Sequence, residues 1–334
     1  MKLSVRNIVL FAVALLLLLC FVVCCVLYNS LADKLLSQTV AERWRGESET
    51  PYAQVSVFRP ESDAMRYQDI YTIRKGIDEA LVSVSLDPEA NDAITTDAFC
   101  ALGSITVSSA KTKSAETTLY AIGGDFFVFH PLHLESGSYI SERDLNSDLV
   151  VIDRELSWTL FGSVDSVGLT LTVNGKDYIV AGVVSRDDDF FTRQVDQTVS
   201  AIYMPFAAVY DYEEAVITSY ETAMPNPVEN FAMDTVKKLA ASGEFVENSE
   251  RYTLGKISDL IFSFGKRSIS TSGIACPAWE NAARLCEDYL ALIVVFAAIF
   301  LVMPVVFALV LAVRAYKALR ATGRRVASRI REKY

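Results

Sequence analysis

The chain has 334 residues, 51% of them hydrophobic, and a formal net charge of −10. That length holds membrane anchors and up to two modest domains. The charge is unevenly placed. Lys2 and Arg6 are the charged residues before Asp33, eight Lys or Arg and one acid, Glu332, follow Val313, and the interval between keeps 21 basic against 40 acidic residues. An acidic middle argues against nucleic acid as a partner, because phosphate binding needs clustered cations.

Residues 1–7 precede an uncharged apolar run, Ile8 to Leu27. Its 20 residues suit a retained span better than a signal peptide, whose apolar core is about 7–15 residues. Ser30-Leu31-Ala32 keeps the cleaved-signal alternative open. No Gly or Pro occurs before Gly46, and Leu31, Leu35, Leu36 and Val40 continue an apolar stripe, so one helix from Val5 to Arg45 is expected, with residues 28–46 as an external stalk.

Residues 51–96 read as a β-α-β unit: a strand over Pro51 to Phe58, a helix carrying Ile70, Ile73, Ile77 and Leu81, and a strand over Leu81 to Leu86. Residues 97–210 then change to short strands and turns. Ile105 and Val107 face Thr118 and Tyr120 across a turn at Lys111 to Ser114, and a strand at Leu149 to Ile152 precedes a short helix, Arg154 to Phe161, stopped by Gly162. The strongest hairpin signal is Leu169 to Val173, then Asn174-Gly175, then Lys176 to Val184, since both central positions need positive φ. Residues 211–288 hold a second β-α-β-like unit, with a strand from Ala215 to Met224 and a helix from Val228 to Ala241. They continue with a further helix over Thr253 to Phe264, a loop over Lys266 to Gly273 and a helical lead-in from Pro277. This order predicts an α+β membrane protein: a split ferredoxin-like domain interrupted by a small β-rich subdomain, flanked by two transmembrane helices.

The second span is Tyr289 to Val313, 25 residues without charge. Basic ends and an acidic middle place both termini in the cytoplasm and the middle outside. In the tail, residues 314–334, Ala315, Leu319, Thr322, Val326 and Ile330 fall on one helical face, with Arg314, Lys317, Arg320, Arg324, Arg325 and Arg329 around it. Three readings stand: a helix on anionic lipid, a contact for an ATPase, or an orientation signal alone. Pro304 marks a kink or is neutral, proline being tolerated in membrane helices.

Chemistry-bearing patterns are sparse. Asp187-Asp188-Asp189 lacks the spaced oxygen ligands of a Ca²⁺ loop and reads as a solvated turn. His130 and His133, the two histidines, flank Pro131 and read as a partly buried loop rather than a metal pair. Phe126, Phe127, Phe129, Phe190 and Phe191 read as core. No G-x-S-x-G elbow and no G-x-x-x-x-G-K-[ST] loop occurs, so neither catalysis nor a cofactor is expected and ATP hydrolysis falls to a partner. Of six cysteines, three lie in the first apolar run; Cys276 and Cys286 on one helix would stand about 15 Å apart, and a loop at Pro277 would bring them closer.

Residues 123–184 resemble the periplasmic core domain of MacB/FtsX-type ABC transporter permeases. The matching residues are Gly124-Asp125-Phe126-Phe127, Leu134, Gly137, Ile140, Val150-Val151-Ile152, Leu160-Phe161-Gly162, Val167-Gly168, Leu171, Asn174-Gly175 and Tyr178 to Val184. The resemblance implies one span before the external domain and three after it, with the cytoplasmic segment after the second span engaging an ATPase. This sequence has one run before and one after, so it is expected to be a non-catalytic membrane subunit of a transport or mechanotransmission complex. The alternative is a membrane-tethered extracytoplasmic scaffold that has lost its ATPase. Expected partners are the membrane and an ABC-type ATPase or larger permease, with self-association as a further route to a pathway.

Overall fold

The structure is a computed structural model that describes residues 5–32, 35–86, 94–111, 114–142, 144, 148–263, 274 and 276–331; at 5–7 and 325–331 only the backbone is described. The Lys266 to Gly273 loop and the tip of the Lys111 to Ser114 turn lie outside the described residues. The chain divides into two compact units, Lys34–Lys256 with Ser263–Cys286, and Met1–Asp33 with Ile257–Phe262 and Glu287–Tyr334.

The first of these is built on one mixed sheet. Strand β1 (Tyr52–Phe58) leads through helix α3 (Tyr67–Ser83) to β2 (Thr96–Ser108), and β9 (Ser219–Pro225) leads through α8 (Phe231–Ala240) to β10 (Glu244–Glu247). These four strands lie in the order β10-β1-β9-β2, every neighbour antiparallel. That is the arrangement of a ferredoxin-like domain, here split between β2 and β9. The intervening strands are β3 (Ala115–Gly124), β4 (His133–Gly137), β5 (Leu149–Asp153), β6 (Thr170–Val173), β7 (Lys176–Ser185) and β8 (Ala201–Pro205). They extend the same sheet as β2-β3-β8-β5-β7-β4, with β6 bridging β2 and β7. The inserted strands are therefore not a separate β layer.

Alternation along the strands gives the sheet two covered faces. One face presents Val55, Val57, Phe99, Leu119, Ile152, Ile202 and Tyr220 to α3, α8 and α5 (Arg154–Phe161), and all are essentially buried. The other meets α2 (Val40–Arg45) and the single turn α4 (Phe126–Phe129) through Val40, Cys100, Tyr120, Ile122, Phe126, Phe129 and Tyr203. Two further single turns, α6 (Thr192–Val195) and α7 (Phe206–Val209), flank β8.

Local rules account for the element ends. Asp153 caps α5 by accepting the Leu156 N–H at 2.8 Å, and Gly162, at φ 71°, stops it. Asn174 and Gly175 turn the β6–β7 hairpin at φ 48° and 80°.

Two expectations need correcting. Leu81 to Leu86 is not a strand: Ile70, Ile73, Ile77 and Leu81 form one buried stripe on α3, which runs to Ser83, and the returning strand begins at Thr96. The stalk is not one helix either. Helix α1 (Val5–Ala32) is followed by an extended Leu35, a 3₁₀ turn at Leu36–Gln38, and then α2. Burying Val40 and Ala41 on the sheet outweighs local helical propensity there. A smaller shift is β9, which starts at Ser219 rather than Ala215.

The second unit contains α1, part of α9 (Leu254–Ser263) and most of α10 (Ala278–Arg331). Both α1 and α10 are long and apolar enough to cross a membrane. Their large apolar side chains, Leu15, Leu19, Val26, Ile299, Val306 and Leu309 among them, are exposed, as lipid-facing residues are. Phe11 and Phe307 place their ring centres 6.4 Å apart, and the helix continues through Pro304.

Candidate functional site

Strand β1 alternates Ala53, Val55 and Val57 with Gln54 and Ser56. In an ordinary two-layer sheet the polar pair would face water. Here both are completely buried, and they begin a chain of polar contacts across the second face. Gln54 Oε1 accepts the Val40 N–H at 3.2 Å, and its Nε2 donates to the Ser37 carbonyl at 2.8 Å. Ser56 Oγ lies 2.8 Å from Glu221 Oε1 on β9 and 3.0 Å from Asn248 Oδ1. His130 Nε2 stands 2.6 Å from the other Glu221 oxygen. Asn248 Nδ2 donates to Gln38 Oε1 at 2.9 Å, and Arg251 Nη1 reaches the same oxygen at 3.1 Å.

Arg251 then grips Glu280, in the first turn of α10, with two bonds of 2.7 and 2.8 Å. Glu280 also accepts from Arg284 at 2.7 Å, and Arg284 reaches Glu244 on β10 at 2.8 Å. Arg251 and Glu280 are buried to 2% and 0% exposure. A buried ion pair survives only with near-ideal geometry and further hydrogen bonds, both of which this cluster has. Beside it, Trp279 lays its ring 4.1 Å from that of His130 and 5.8 Å from that of Phe126. The arrangement is a clasp: the segment that follows α1 is bonded to β1 through Gln54, the start of α10 to β10 through Glu244, and the two meet at Arg251, which bonds both Gln38 and Glu280.

Of the tail cations, Arg314, Lys317, Arg320 and Arg324 are exposed on α10, and their spacing keeps them within about a third of the helix circumference. Arg325 and Arg329 are helical in backbone, and their side chains lie outside the described residues. His130 is buried in the clasp while His133 is exposed at the start of β4. Asp189 accepts the Phe191 and Thr192 N–H groups, which is turn chemistry. Among the described residues no cluster of three His, Cys, Asp or Glu is placed to hold a metal ion, and Cys276 and Cys286 are not joined in a disulfide. The clasp itself escapes a sequence reading because its members come from six separate stretches. Its one local signal is Glu280 with Arg284, an i,i+4 pair a few residues ahead of an uncharged run.

A split ferredoxin-like sheet with a strand-rich insert, in a chain with an apolar helix before it and another after it, is the layout of a membrane transport permease with a periplasmic-type domain. The profile of the MacB-like periplasmic core domain matches residues 19–238, and the chain belongs to that family, that of the MacB/FtsX-type permeases. Macrolide export ATP-binding/permease proteins MacB of Neisseria gonorrhoeae and Neisseria meningitidis are 30% identical over 94 residues, 28% of this chain and 14% of theirs. The chain thus matches about one-seventh of the length of those curated relatives. The solved periplasmic region of MacB from Actinobacillus actinomycetemcomitans is 20% identical with a TM-score of 0.43, covering 70% of this chain and 100% of that one. The extracellular domain of the noncanonic ABC-type transporter YknZ from Gram-positive bacteria is 14% identical with a TM-score of 0.40, covering 59% and 98%.

Proposed function

We propose that the protein is a non-catalytic membrane subunit of an ABC-type transport or mechanotransmission complex. Its sheet domain lies outside the membrane, both termini lie in the cytoplasm, and an ATPase or larger permease engages it from within. The clasp carries this reading. It bonds the segment that follows α1 in the sequence and the first turns of α10 to one sheet domain, and that is what a domain driven through those two segments would need. The tail cations, Arg314, Lys317, Arg320, Arg324, Arg325 and Arg329, are the contact for the driving partner. Membership of the permease family supports the same reading, and ATP hydrolysis is assigned to the partner.

Mild detergent extraction of native membranes with the tagged full chain is expected to recover an ABC-type ATPase. Replacing the six tail cations by Gln, with surface expression retained, is expected to lower that recovery at least tenfold. Recovery of no ATPase, alongside a control transporter that keeps its own, would overturn the proposal.

A further inference from the structure

Helix α9 (Leu254–Ser263) is too short to cross a membrane, for which about 20 residues are needed, yet it is amphipathic. At 3.6 residues per turn, Leu260, Ile257, Ile261, Leu254 and Phe262 fall in that order over about 200° of its circumference, with Ser258 the one polar residue among them. Lys256, Asp259 and Ser263 hold the opposite side. Only part of the apolar arc is covered by protein. Ile257 and Leu260 are buried, whereas Leu254 is 61% exposed and Phe262 is 90% exposed, more than any other large apolar side chain among the described residues.

What lies beside that surface follows from where the helix belongs. Ile257–Phe262 fall in the compact unit of α1 and α10, while the chain up to Lys256 and again from Ser263 falls in the sheet unit. A helical excursion of six residues rises only about 9 Å, so it enters and leaves the membrane unit at the same end. Asp259 within it bars it from the hydrocarbon core. The level that remains is that of the lipid headgroups, where a short amphipathic helix lies with its apolar side toward the acyl chains. Lipid already covers other exposed apolar side chains of this unit, and Val26, Leu292 and Phe296 bring that cover close to the ends of the two apolar runs that adjoin the sheet domain in sequence.

We infer that α9 is a lipid contact at the membrane surface, with the Phe262 ring seated at the boundary between headgroups and acyl chains of the leaflet beside the sheet domain. This placement rests on the proposed crossing of the membrane by α1 and α10 with the sheet domain outside. Lys256 and Asp259, the two charged residues of α9, cancel. The contact is therefore made by burying apolar surface and is indifferent to anionic lipid, unlike an attachment through the tail cations.

The test places the full chain in phosphatidylcholine nanodiscs, with and without acyl-brominated lipid, and reads the emission that Phe262→Trp adds to that of Trp44, Trp158 and Trp279. Val26→Trp in α1 is the control for a span, and Tyr71→Trp, on the exposed side of α3, is the control for water. Brominated lipid is expected to quench the emission added by Phe262→Trp at least threefold more than that added by Tyr71→Trp, and equally with or without phosphatidylglycerol. Val26→Trp separates two failures. If it is quenched and Phe262→Trp is not, the lipid contact is overturned and the membrane crossing stands; if neither is quenched, the crossing fails and the contact with it. Quenching of Phe262→Trp that needs phosphatidylglycerol would also overturn the contact. The unaltered chain gives a measurement free of any folding defect: hydroxyl radicals should oxidise Phe262 at least fivefold less than Tyr71 in nanodiscs, and equal oxidation would count against the contact. In native membranes, Phe262→benzoylphenylalanine should crosslink to phospholipid. A crosslink to protein instead would give this face to a partner and overturn the inference.

Discussion

The sheet is continuous, yet its two halves are held by opposite means. Under the inserted strands, Val150, Val151, Ile152, Leu156, Val180 and Ile202 are wholly buried and apolar, and the buried polar members, such as the Asp153 cap and the Ser157–Ser166 and Thr117–Ser200 pairs, stand in small separate groups. Under the ferredoxin-like strands, the second face buries Gln38, Gln54, Ser56, Glu221, Arg251 and Glu280 in one connected chain. A dry core tolerates small shifts of any one side chain. A connected polar core does not, because each lost bond strands a buried charge or dipole. The polar half is also the half to which the segments beside the two apolar helices are fastened.

The contrast is broken most directly at Arg251. Arg251→Met leaves Glu280 buried with Arg284 alone and is expected to cost about 3 kcal/mol, seen as a lower urea midpoint of Trp fluorescence in detergent. Adding Glu280→Leu to that variant removes the stranded carboxylate, and the double variant should lose less than the single one. A double variant that loses more would mean that the pair is worth more than its desolvation.

Asp153 sharpens the comparison from the other side, as the charge that the dry half tolerates. Burial pushes its carboxyl up to about 7, although the Leu156 N–H and Arg186 pull it down. A folded value above the unfolded one means that the folded state holds the proton longer. Its contribution to stability is therefore full below about pH 4 and is lost as pH rises through 7. The melting temperature of the parent should fall across that window, and that of Asp153→Asn, whose side-chain oxygen still caps α5, should stay flatter. A parallel fall in both would remove Asp153 as the cause.

Smaller effects belong to the apolar half alone. Ile152→Val should cost about 1 kcal/mol, the loss of one buried methylene. Gly162→Ala, at φ 71° with open space around it, should cost roughly 1 kcal/mol for backbone conformation only. Either one exceeding Arg251→Met would reverse the ranking of the two halves.

Where local chemistry decides, the sequence was legible. Asn174-Gly175 fixes its hairpin, Asp153 and Gly162 bracket α5, and the Ile70 to Leu81 stripe places α3. Where tertiary burial decides, it was not. Gln54 and Ser56 carry the alternation of a half-solvated strand, and nothing near them reveals that Gln38, Glu221 and Asn248 cover that face. Val40 fits a continuing helix as well as it fits a contact with the sheet, and the sheet prevails. Leu81 to Leu86 satisfies both periods for a few residues, and the longer helical stripe decides it.

Strand β2 has a consequence for how the molecule comes to exist. Along one edge its first residues pair with β9 and its last two with β6, and along the other β3 pairs from Ala98 to Val107, so a single 13-residue splint is shared by host and insert. Thr96 finds Ala223 only after the whole insert has been synthesised. Assembly of the host must wait for that closure, which makes folding slow and dependent on contacts distant in sequence. Once closed, the two halves share a backbone and tilt as one plank, so a proteolytic nick inside the insert would loosen the host as well.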